Sequence, residues 1–387
     1  MQQQPQAATT QVLHRSWVEV SRRQIAENFR AVRDAAGPGV ELMPVVKADA
    51  YRHGAVAVSH VLEAEGARWL AVSNVEEGIA LRESGCQSRI LVMADFLPFE
   101  RLALAEHSLT PVIHDLAGIA EWEAIANRIG RRLPFHLKID SGMGRLGTRA
   151  AAAAVVDVLN RVSAEAVEFE GLMTHFASSA DFDSPQTEEQ IEQFRRMRGA
   201  LADAGVRPRY THMSSTNPLG YGRDASFCNL VRPGHAIYGY VSPARGASAP
   251  ALRLHVKPAL TWRAAVLAVK DIEAGARIGY GGMHVTRVPS RIAILAVGYA
   301  DGVPHRLGGR GRVIVRGCYA PIIGAVSMDL TTIDVTNCPP VAAGDSVMLL
   351  GSEGDASIDA QQIAKLAGTI SYSVLCGIHA RVKRLYI

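Results

Sequence analysis

The amino-acid sequence predicts a (β/α)8 barrel followed by a smaller β-rich domain. Short apolar runs alternate with helical patterns over residues 15–246, whereas strand patterns separated by turn residues occupy residues 247–387. Strands that alternate with helices require crossover connections and therefore a parallel sheet. The length of 387 residues accommodates two or three domains of ordinary size.

Eight apolar runs predict the barrel strands. They span residues 42–47, 69–73, 90–93, 110–113, 134–139, 167–174, 210–213 and 230–237. Helical patterns precede or separate them at residues 21–36, 75–83, 115–128, 150–162 and 186–204. Eight such units are what a closed barrel requires. A doubly wound open sheet is the alternative, but no G-x-G-x-x-G motif opens the first helix, which disfavours a dinucleotide-binding fold.

The predicted second domain begins after a connector of small residues at 244–250. Strand patterns follow at residues 260–269, 292–297, 313–315 and 330–335, with turn residues between them. A single helix is predicted over residues 359–366, with Ser357 as its N-cap. Residues 1–14 are a candidate addition to this domain.

Composition narrows the class of protein. The chain is 48% hydrophobic and 20% charged, which predicts a sizeable apolar core and excludes a disordered chain. The net charge is +4, from 41 basic and 37 acidic residues, so neither a nucleic-acid partner nor a membrane partner is expected. Five scattered cysteines without a C-x-x-C motif are typical of reduced thiols, and the polar N-terminus lacks a signal-peptide core. We therefore predict a cytoplasmic enzyme without a metal site.

Polar residues follow several predicted strands at the carboxyl end, where barrel enzymes place their active sites. They are Lys47, Lys138, Asp140, His175, His212 and Arg232, together with the glycine-rich loop at residues 141–147. Each alone has an ordinary structural explanation, such as a lysine that extends to solvent or a hydrogen-bonded core histidine. Their convergence on one mouth favours a functional site, because buried charges must be paired or used.

A lysine in apolar surroundings is a usable amine nucleophile and indicates a Schiff base with pyridoxal phosphate (PLP). Suitable phosphate ligands are the hydroxyls of Tyr51 and Thr216 and the backbone amides of Gly234 and His235. The residue available to the cofactor's ring nitrogen is Arg232. A guanidinium donates hydrogen bonds and cannot give up its proton readily, so the ring nitrogen would remain unprotonated. Such a cofactor suits reactions that only remove and return a proton.

The same residues resemble the alanine racemase family. Residues 45–54 (VVKADAYRHG) are similar to its PLP-lysine motif, and residues 136–147 (HLKIDSGMGRLG) match a second motif almost completely. Shorter matches occur at residues 174–176 (THF), 231–234 (VRPG), 278–281 (IGYG), 298–302 (GYADG) and 327–329 (SMD). The resemblance runs from about residue 16 to 384 and keeps the motifs in order.

This resemblance implies a PLP-dependent racemase that works as a head-to-tail homodimer with shared active sites. Lys47 would bind PLP and serve as one catalytic base, and Tyr280 from the other subunit would be the second base. His175 would hydrogen-bond Tyr280, and Arg232 would link His175 to the ring nitrogen.

The substrate carboxylate has its own expected ligands. Arg145 would contact both the PLP phenolic oxygen and this carboxylate, aided by the backbone N–H of Met328. Lys138 matches a lysine that is often carbamylated in the family, where its negative charge would orient Arg145. The implied role is D-alanine biosynthesis for peptidoglycan.

The sequence departs from the family pattern in its tail, at residues 376–382 (CGIHARV). Ala380 replaces a tyrosine near the cofactor and the substrate, and Thr216 replaces the usual serine at the phosphate. A pocket discriminates by only about 1–3 kcal/mol per methylene group. The sequence therefore leads to the hypothesis of a racemase that accepts side chains larger than that of alanine, such as serine.

Two other functions remain as alternatives. A PLP decarboxylase of similar architecture would typically carry an acidic partner at the ring nitrogen, where this chain has Arg232. A non-catalytic PLP-binding barrel would need neither residues 247–387 nor Tyr280.

Overall fold

The computed structural model describes residues 14–94 and 96–387. Contacts divide them into two compact units, residues 21–259 and residues 14–20 with 260–387. The predicted boundary between residues 246 and 247 differs from this division. Residues 247–259 form no strand, and their backbone bonds to the first unit: the N–H of Arg253 donates to the carbonyl of Gly220 at 2.8 Å, and that of Ala259 to the carbonyl of Tyr238 at 3.2 Å.

The first unit is a barrel of eight parallel strands. They are Glu41–Leu42, Trp69–Val72, Arg89–Val92, Leu109–Ile113, Leu133–Lys138, Val167–Met173, Tyr210–His212 and Leu230–Val231. The second to seventh strands form one continuous parallel sheet, and the first pairs with the eighth. The N–H of Ala71 donates to the carbonyl of Pro44 at 2.9 Å, and that of Arg232 to Ser214 at 3.0 Å. These bonds join the end pair to both edges of the sheet and close the barrel.

The first and eighth strands are shorter than predicted. Regular pairing stops after Leu42 and Val231, because Pro44 and Pro233 have no N–H to donate. The chain nevertheless stays extended, since the N–H of Val45 donates to the carbonyl of Pro233 at 2.9 Å. Residues predicted to continue the eighth strand instead form a 3-10 helix at His235–Tyr238. The other six strands begin and end within one residue of the prediction.

Helices surround the barrel strands. They are Arg22–Ala36, Ala55–Ala64, Val75–Glu83, Arg101–Glu106, Ala117–Ile129, Ala152–Arg161, Gln186–Asp203 and Thr216–Gly220. The first is capped by Ser21, whose hydroxyl accepts a hydrogen bond from the N–H of Gln24 at 3.2 Å. It packs beside the end of the eighth strand, where Asn28 donates to the carbonyls of Ile237 and Lys257. The three helices that the sequence did not predict are Ala55–Ala64, Arg101–Glu106 and Thr216–Gly220.

The second unit is built on a nine-stranded sheet around the long strand Leu260–Ile272. This strand pairs with Ser16–Val20, Ser290–Leu295 and Ser346–Glu353, all antiparallel. The remaining strands of the sheet are Arg312–Val315, Cys318–Pro321, Thr331–Asp334, Ala356–Ile358 and Lys383–Tyr386.

A small hairpin and two helices complete the second unit. The hairpin pairs Arg277–Ile278 with His284–Val285, and the helices are Ala360–Ala367 and Ser371–Cys376. The predicted N-cap Ser357 is wrong, because the carboxylate of Asp359 accepts from the N–H of Gln362 at 2.8 Å and caps the helix instead. Within the described part of the chain, no helix is long and apolar enough to cross a membrane.

The chain leaves the barrel at a position that only glycine fits. Gly239 has a φ of 96°, and a Cβ there would lie 2.0 Å from the carbonyl oxygen of Lys257. Gly205 has a similar φ of 80°, but a Cβ there would meet nothing within 4 Å. The two glycines therefore share the backbone constraint and differ only in the available space.

We predict that Gly239→Ala destabilises the protein more than Gly205→Ala. Both variants strain the backbone by about 1–2 kcal/mol, and only the first adds a steric cost of about 1–3 kcal/mol. The melting temperature of Gly239→Ala should therefore lie about 5 °C below that of Gly205→Ala in a thermal melt. Equal melting temperatures would show that the contact at Lys257 does not constrain the fold.

Candidate active site

Lys47 lies at the carboxyl end of the first barrel strand, as predicted. The N–H of Val46 makes the last bond into the barrel, to the carbonyl of Ala71 at 2.8 Å. Val45 and Val46 are buried, whereas Lys47 itself is half-buried. Its side chain is therefore less enclosed than the apolar run suggested.

The segment after Lys47 is a single left-handed helical turn. Residues 48–52 all have φ between 52° and 67°, a conformation that costs non-glycine residues about 1–2 kcal/mol each. Hydrogen bonds from outside the turn offset this cost. The carboxylate of Glu77 accepts from the N–H of Ala48 at 2.6 Å, and that of Asp49 accepts from the N–H of Ala55 at 2.8 Å. Strained backbone of this kind concentrates at functional sites.

Glu77 is a site residue that the sequence did not reveal. The spacing Asn74 to Glu77 is that of a capping box, which gives Glu77 an ordinary role at a helix start. Asn74 does cap the helix, by accepting from the N–H of Glu77 at 2.9 Å. The carboxylate of Glu77, however, joins two barrel loops, because it binds the N–H of Ala48 and that of Ser73 at 2.8 Å.

Lys138 is buried at the end of the fifth strand, within a cluster of cations. Burial and the charges of Arg145, Arg232 and Lys47 together lower the pKa of Lys138 to about 8, while Asp140 opposes them. Far more of this amine is therefore uncharged near neutral pH than in an ordinary lysine, and the uncharged form is the one that reacts with electrophiles.

Asp140 organises the glycine-rich loop that carries Arg145. One carboxylate oxygen accepts from the N–H groups of Gly142, Met143 and Gly144 at 2.9–3.1 Å, and the other pairs with Arg149 at 2.8 Å. Burial acts to raise the pKa of Asp140, but these bonds outweigh it and lower the pKa. The loop leaves the side chain of Arg145 exposed.

Arg232 is fully enclosed at the end of the eighth strand. Its Nη1 binds the Nδ1 of His212 at 2.6 Å, and its Nη2 donates to the carbonyl of Thr174 at 2.7 Å. Burial lowers the pKa of Arg232 to about 10, so the guanidinium is charged at neutral pH. His175 lies 3.4 Å from Nη2, and burial and the charge of Arg232 lower its pKa to about 3. His175 is therefore a neutral imidazole.

A chain of buried side chains continues from Arg232 through the barrel interior. His212 Nε2 lies 2.8 Å from His136 Nδ1, and His136 Nε2 lies 3.6 Å from the carboxylate of Glu170. Arg89 pairs with Glu170 through both guanidinium nitrogens, one of them at 2.6 Å. Burial acts to raise the pKa of Glu170, but the nearby His136 and the paired Arg89 outweigh it and lower the pKa to about 2. Glu170 was not predicted, since its partners are distant in sequence.

Tyr51, Thr216, Gly234 and His235 meet at one side of the barrel mouth. The hydroxyl of Thr216 accepts from the N–H groups of Gly234 and Ala236, both at 3.2 Å. A Cβ at Gly234 would lie 2.5 Å from the hydroxyl of Tyr51. His235 is buried and stacks on Tyr240 with ring centroids 5.0 Å apart; burial lowers its pKa to about 3. The structure therefore gathers hydroxyls and amides around a glycine, which is how proteins bind phosphate.

The two remaining predicted site residues belong to the second unit. Tyr280 begins a 3-10 turn after the hairpin strand Arg277–Ile278 and is 75% exposed, and Met328 is 55% exposed. The loop of Met328 is fixed by bonds to residues 298–302, including one from the N–H of Ala300 to the carbonyl of Met328 at 2.9 Å. Arg381 connects residues 298–302 to the loop of Met328, because it pairs with both Asp301 and Asp329, each at 2.7 Å. Ala380, next to Arg381, is exposed.

Comparisons with known proteins decide between the candidate families. The model of the alanine racemase N-terminal domain matches residues 20–243, and that of the C-terminal domain matches residues 259–386. The alanine racemase of Symbiobacterium thermophilum is 40% identical over 377 residues, covering 96% of this chain and 97% of that protein. The alanine racemase of Halothermothrix orenii is 38% identical over 380 residues, covering 96% of each.

The chain belongs to the alanine racemase family. It is therefore an isomerase with a PLP-dependent reaction, and the barrel followed by a β-rich domain is the fold of the family. A solved alanine racemase of Bartonella henselae, with covalently bound pyridoxal phosphate, is similar with a TM-score of 0.84 and 27% identity. The match covers 97% of this chain and 100% of that one.

The residues at the barrel mouth fit PLP on three chemical grounds. Lys47 supplies an amine, the group around Gly234 supplies neutral donors for a phosphate, and Arg232 supplies a fixed donor for the ring nitrogen. A side chain larger than glycine at residue 234 would crowd this group, because its Cβ would lie 2.5 Å from the hydroxyl of Tyr51. The sequence predicted all of these residues, and missed the supports Glu77 and Glu170.

We predict that Glu170→Gln reduces the acid sensitivity of the fold. The ordinary pKa of a glutamate is near 4.5 and that of folded Glu170 is about 2, so its charge stabilises the protein above pH 5. This contribution, about 3 kcal/mol, is lost as the pH falls from about 5 to 2. In thermal melts, Glu170→Gln should be less stable than the wild type at pH 7, and the difference should shrink by pH 3.

Exposed Glu189 offers the matched control, since Glu189→Gln changes the same charge at the surface. The melting temperature of Glu189→Gln should equal that of the wild type at every pH. A constant difference between Glu170→Gln and the wild type from pH 7 to pH 3 would contradict the assigned role of the Glu170 charge.

Proposed function

We propose that this chain interconverts L- and D-alanine with PLP and that Lys47 and Tyr280 are the two catalytic bases. The observation that carries the proposal is the buried Arg232, which we assign to the ring nitrogen. Its Nη1 and Nη2 groups are held by the carbonyls of Thr174, His212 and Met213 and by His212 Nδ1, so the side chain offers the ring nitrogen a donor and not an acidic partner. A ring nitrogen bound in this way stays unprotonated, which favours proton transfer over decarboxylation.

PLP supplies the electron withdrawal that weakens the Cα–H bond of the bound amino acid. Lys47 holds the cofactor through its amine and then takes or returns the Cα proton on its own face. The phenol of Tyr280 does the same on the opposite face. Racemisation needs bases on both faces, because the proton removed from one face must be replaced from the other.

The side chains around these bases have supporting roles in the proposal. His175 is a neutral imidazole whose Nδ1 faces the donor Nη2 of Arg232, so in the proposal its Nε2–H donates a hydrogen bond to the phenol oxygen of Tyr280. Arg145 binds the substrate carboxylate together with the backbone N–H of Met328. Lys138 is carbamylated in this scheme, because its pKa of about 8 leaves a reactive neutral amine and a carbamate would pair with Arg145. Tyr51, Thr216, Gly234 and His235 hold the phosphate.

A head-to-tail homodimer completes the proposed site, with Tyr280 reaching the barrel of the other subunit. The exposed apolar side chains around Tyr280 support this arrangement, since Met283 is 72% exposed and Val288 is 59% exposed. A surface of this kind is typical of an interface. We further propose a cytoplasmic enzyme that supplies D-alanine for peptidoglycan.

We predict different losses in Lys47→Ala and Tyr280→Phe. Lys47→Ala removes the covalent anchor, so the visible absorbance of bound PLP and the racemisation of alanine should both disappear. Tyr280→Phe removes only a proton carrier, so absorbance should persist while racemisation falls by about 10²–10⁴-fold.

The control is Tyr319→Phe, which removes a hydroxyl that bonds the carbonyl of Ser357 in the second unit. It should keep both signals. Formation of D-alanine from L-alanine by Lys47→Ala would refute the proposed mechanism.

Substrate breadth is a separate prediction. Replacing the family tyrosine by Ala380 removes an aromatic ring, so the wild type should racemise serine as well as alanine. Ala380→Tyr should lower kcat/KM for serine relative to alanine by about tenfold, a specificity difference of about 1.4 kcal/mol. His379→Ser, at the residue before Ala380, should leave that ratio unchanged. Turnover of alanine alone by the wild type would contradict the broadened pocket.

A further inference from the structure

Two cysteines of the second unit lie with their sulfur atoms in contact. Cys318 and Cys338 are both partly exposed, and their Sγ atoms are 3.1 Å apart. Cys338 is the hydrogen-bond donor of the pair. Burial and then the neighbouring Cys318 raise the pKa of Cys338 to about 12, so it remains a thiol at neutral pH.

The backbone brings these sulfur atoms together. Cys318 follows the tight turn at Arg316 and Gly317, where both residues have positive φ, and it pairs with Val315 across the hairpin. Cys338 closes a turn after the strand Thr331–Asp334, with its N–H donating to the carbonyl of Val335 at 3.0 Å. Each cysteine is thus fixed at the end of a strand.

The two segments also run side by side. Ile322 and Ile333 form an antiparallel bridge, and the N–H of Ile323 donates to the carbonyl of Thr332 at 2.9 Å. The approach of the two sulfur atoms is therefore a property of the sheet and needs only a small movement to become a covalent bond.

We propose that Cys318 and Cys338 are a reversible thiol–disulfide modification site that braces the loop between them. The oxidant is a small-molecule disulfide. The Cys318 thiol releases its proton to solvent and attacks one sulfur of that oxidant, which releases a first small thiol. The Cys338 thiol then releases its proton and attacks Cys318, which releases the second. Two protein thiols are oxidised to one disulfide, and one small disulfide is reduced to two thiols.

The braced loop carries residues of the proposed active site. Residues 318–338 include Met328, and Ile323 packs with Ile278 and Ile292 in a buried cluster. A Cβ at Gly324 would lie 2.8 Å from the carbonyl oxygen of Ile278, two residues before Tyr280. A crosslink at the two ends of the loop would therefore stiffen the support of both Met328 and Tyr280. This consequence rests on the proposed function, whereas formation of the disulfide does not.

The test is to incubate the full-length holoenzyme with oxidised glutathione, trap free thiols with an alkylating reagent under denaturing conditions, and measure its mass. We expect the number of free thiols to fall from five to three, a peptide that joins Cys318 to Cys338, and full reversal by dithiothreitol. The melting temperature should rise by about 5 °C on oxidation, because the crosslink limits the unfolded chain.

Cys318→Ser and Cys338→Ser should each abolish the crosslink and the rise in melting temperature. Both should keep kcat for alanine within twofold of the reduced wild type, since neither cysteine touches the proposed catalytic groups. Cys228→Ser, in the first unit, is the matched control and should behave as the wild type, with its thiol count falling from four to two.

The outcomes separate this proposal from the proposed function. Five thiols that stay free, a stable glutathione adduct, or a bond to another cysteine would overturn the modification site even if alanine is racemised. A Cys318–Cys338 crosslink in a protein that racemises no alanine would support the modification site and contradict the function. A crosslink that leaves the melting temperature unchanged would overturn the bracing role.

Discussion

The buried guanidinium of Arg232 is the constraint on which the barrel interior depends. A charge enclosed in protein is costly unless hydrogen bonds satisfy it, and here the carbonyls of Thr174, His212 and Met213 and the Nδ1 of His212 do so. His175 beside it is neutral, because a second buried cation at 3.4 Å would be unfavourable. The balancing negative charge of Glu170 is two histidines away, where Arg89 also pairs with it. Glu170 therefore does not pair with Arg232 directly.

The charge of Arg232 acts on another cation of the barrel mouth, Lys138. Burial lowers the pKa of Lys138, and Arg145, Arg232 and Lys47 lower it further, so Lys138 gives up its charge more easily than an ordinary lysine. A phosphate and a substrate carboxylate are the anions that such a mouth attracts. The small net charge of +4 conceals this local excess, because it sums charges over the whole chain, including surface arginines such as Arg23, Arg161 and Arg291 that pair with acids. A small positive net charge thus says little about binding partners until the positions of the charged residues are known.

The sequence predicted features that local pattern controls. Six barrel strands and Lys47, Lys138, His175 and Arg232 at the strand ends followed from apolar runs, because the carboxyl ends of parallel strands share one edge. It did not predict the left-handed turn at residues 48–52, since four of its five residues are alanine, tyrosine or arginine, which disfavour that conformation. The role of Glu77 was missed because its carboxylate binds the N–H of Ala48, which lies 29 residues away in the sequence. Ser16–Val20 joined the second unit through pairing with Leu260–Ile272, a contact that no local pattern encodes.

In the proposed function, different residues of the second unit determine the binding of the substrate carboxylate and the room for the substrate side chain. Arg381 pairs with Asp301 and Asp329 and fixes the loop whose Met328 N–H is proposed to bind the carboxylate. Ala380 precedes Arg381 and contributes only a methyl group. Because Asp301 is buried and also accepts from the N–H of Gly298 at 2.8 Å, this pairing does not depend on what occupies residue 380. In the proposed function, a wider side-chain pocket at residue 380 would therefore leave the proposed ligand of the substrate carboxylate in place, and with it the position of the Cα proton between the two proposed bases.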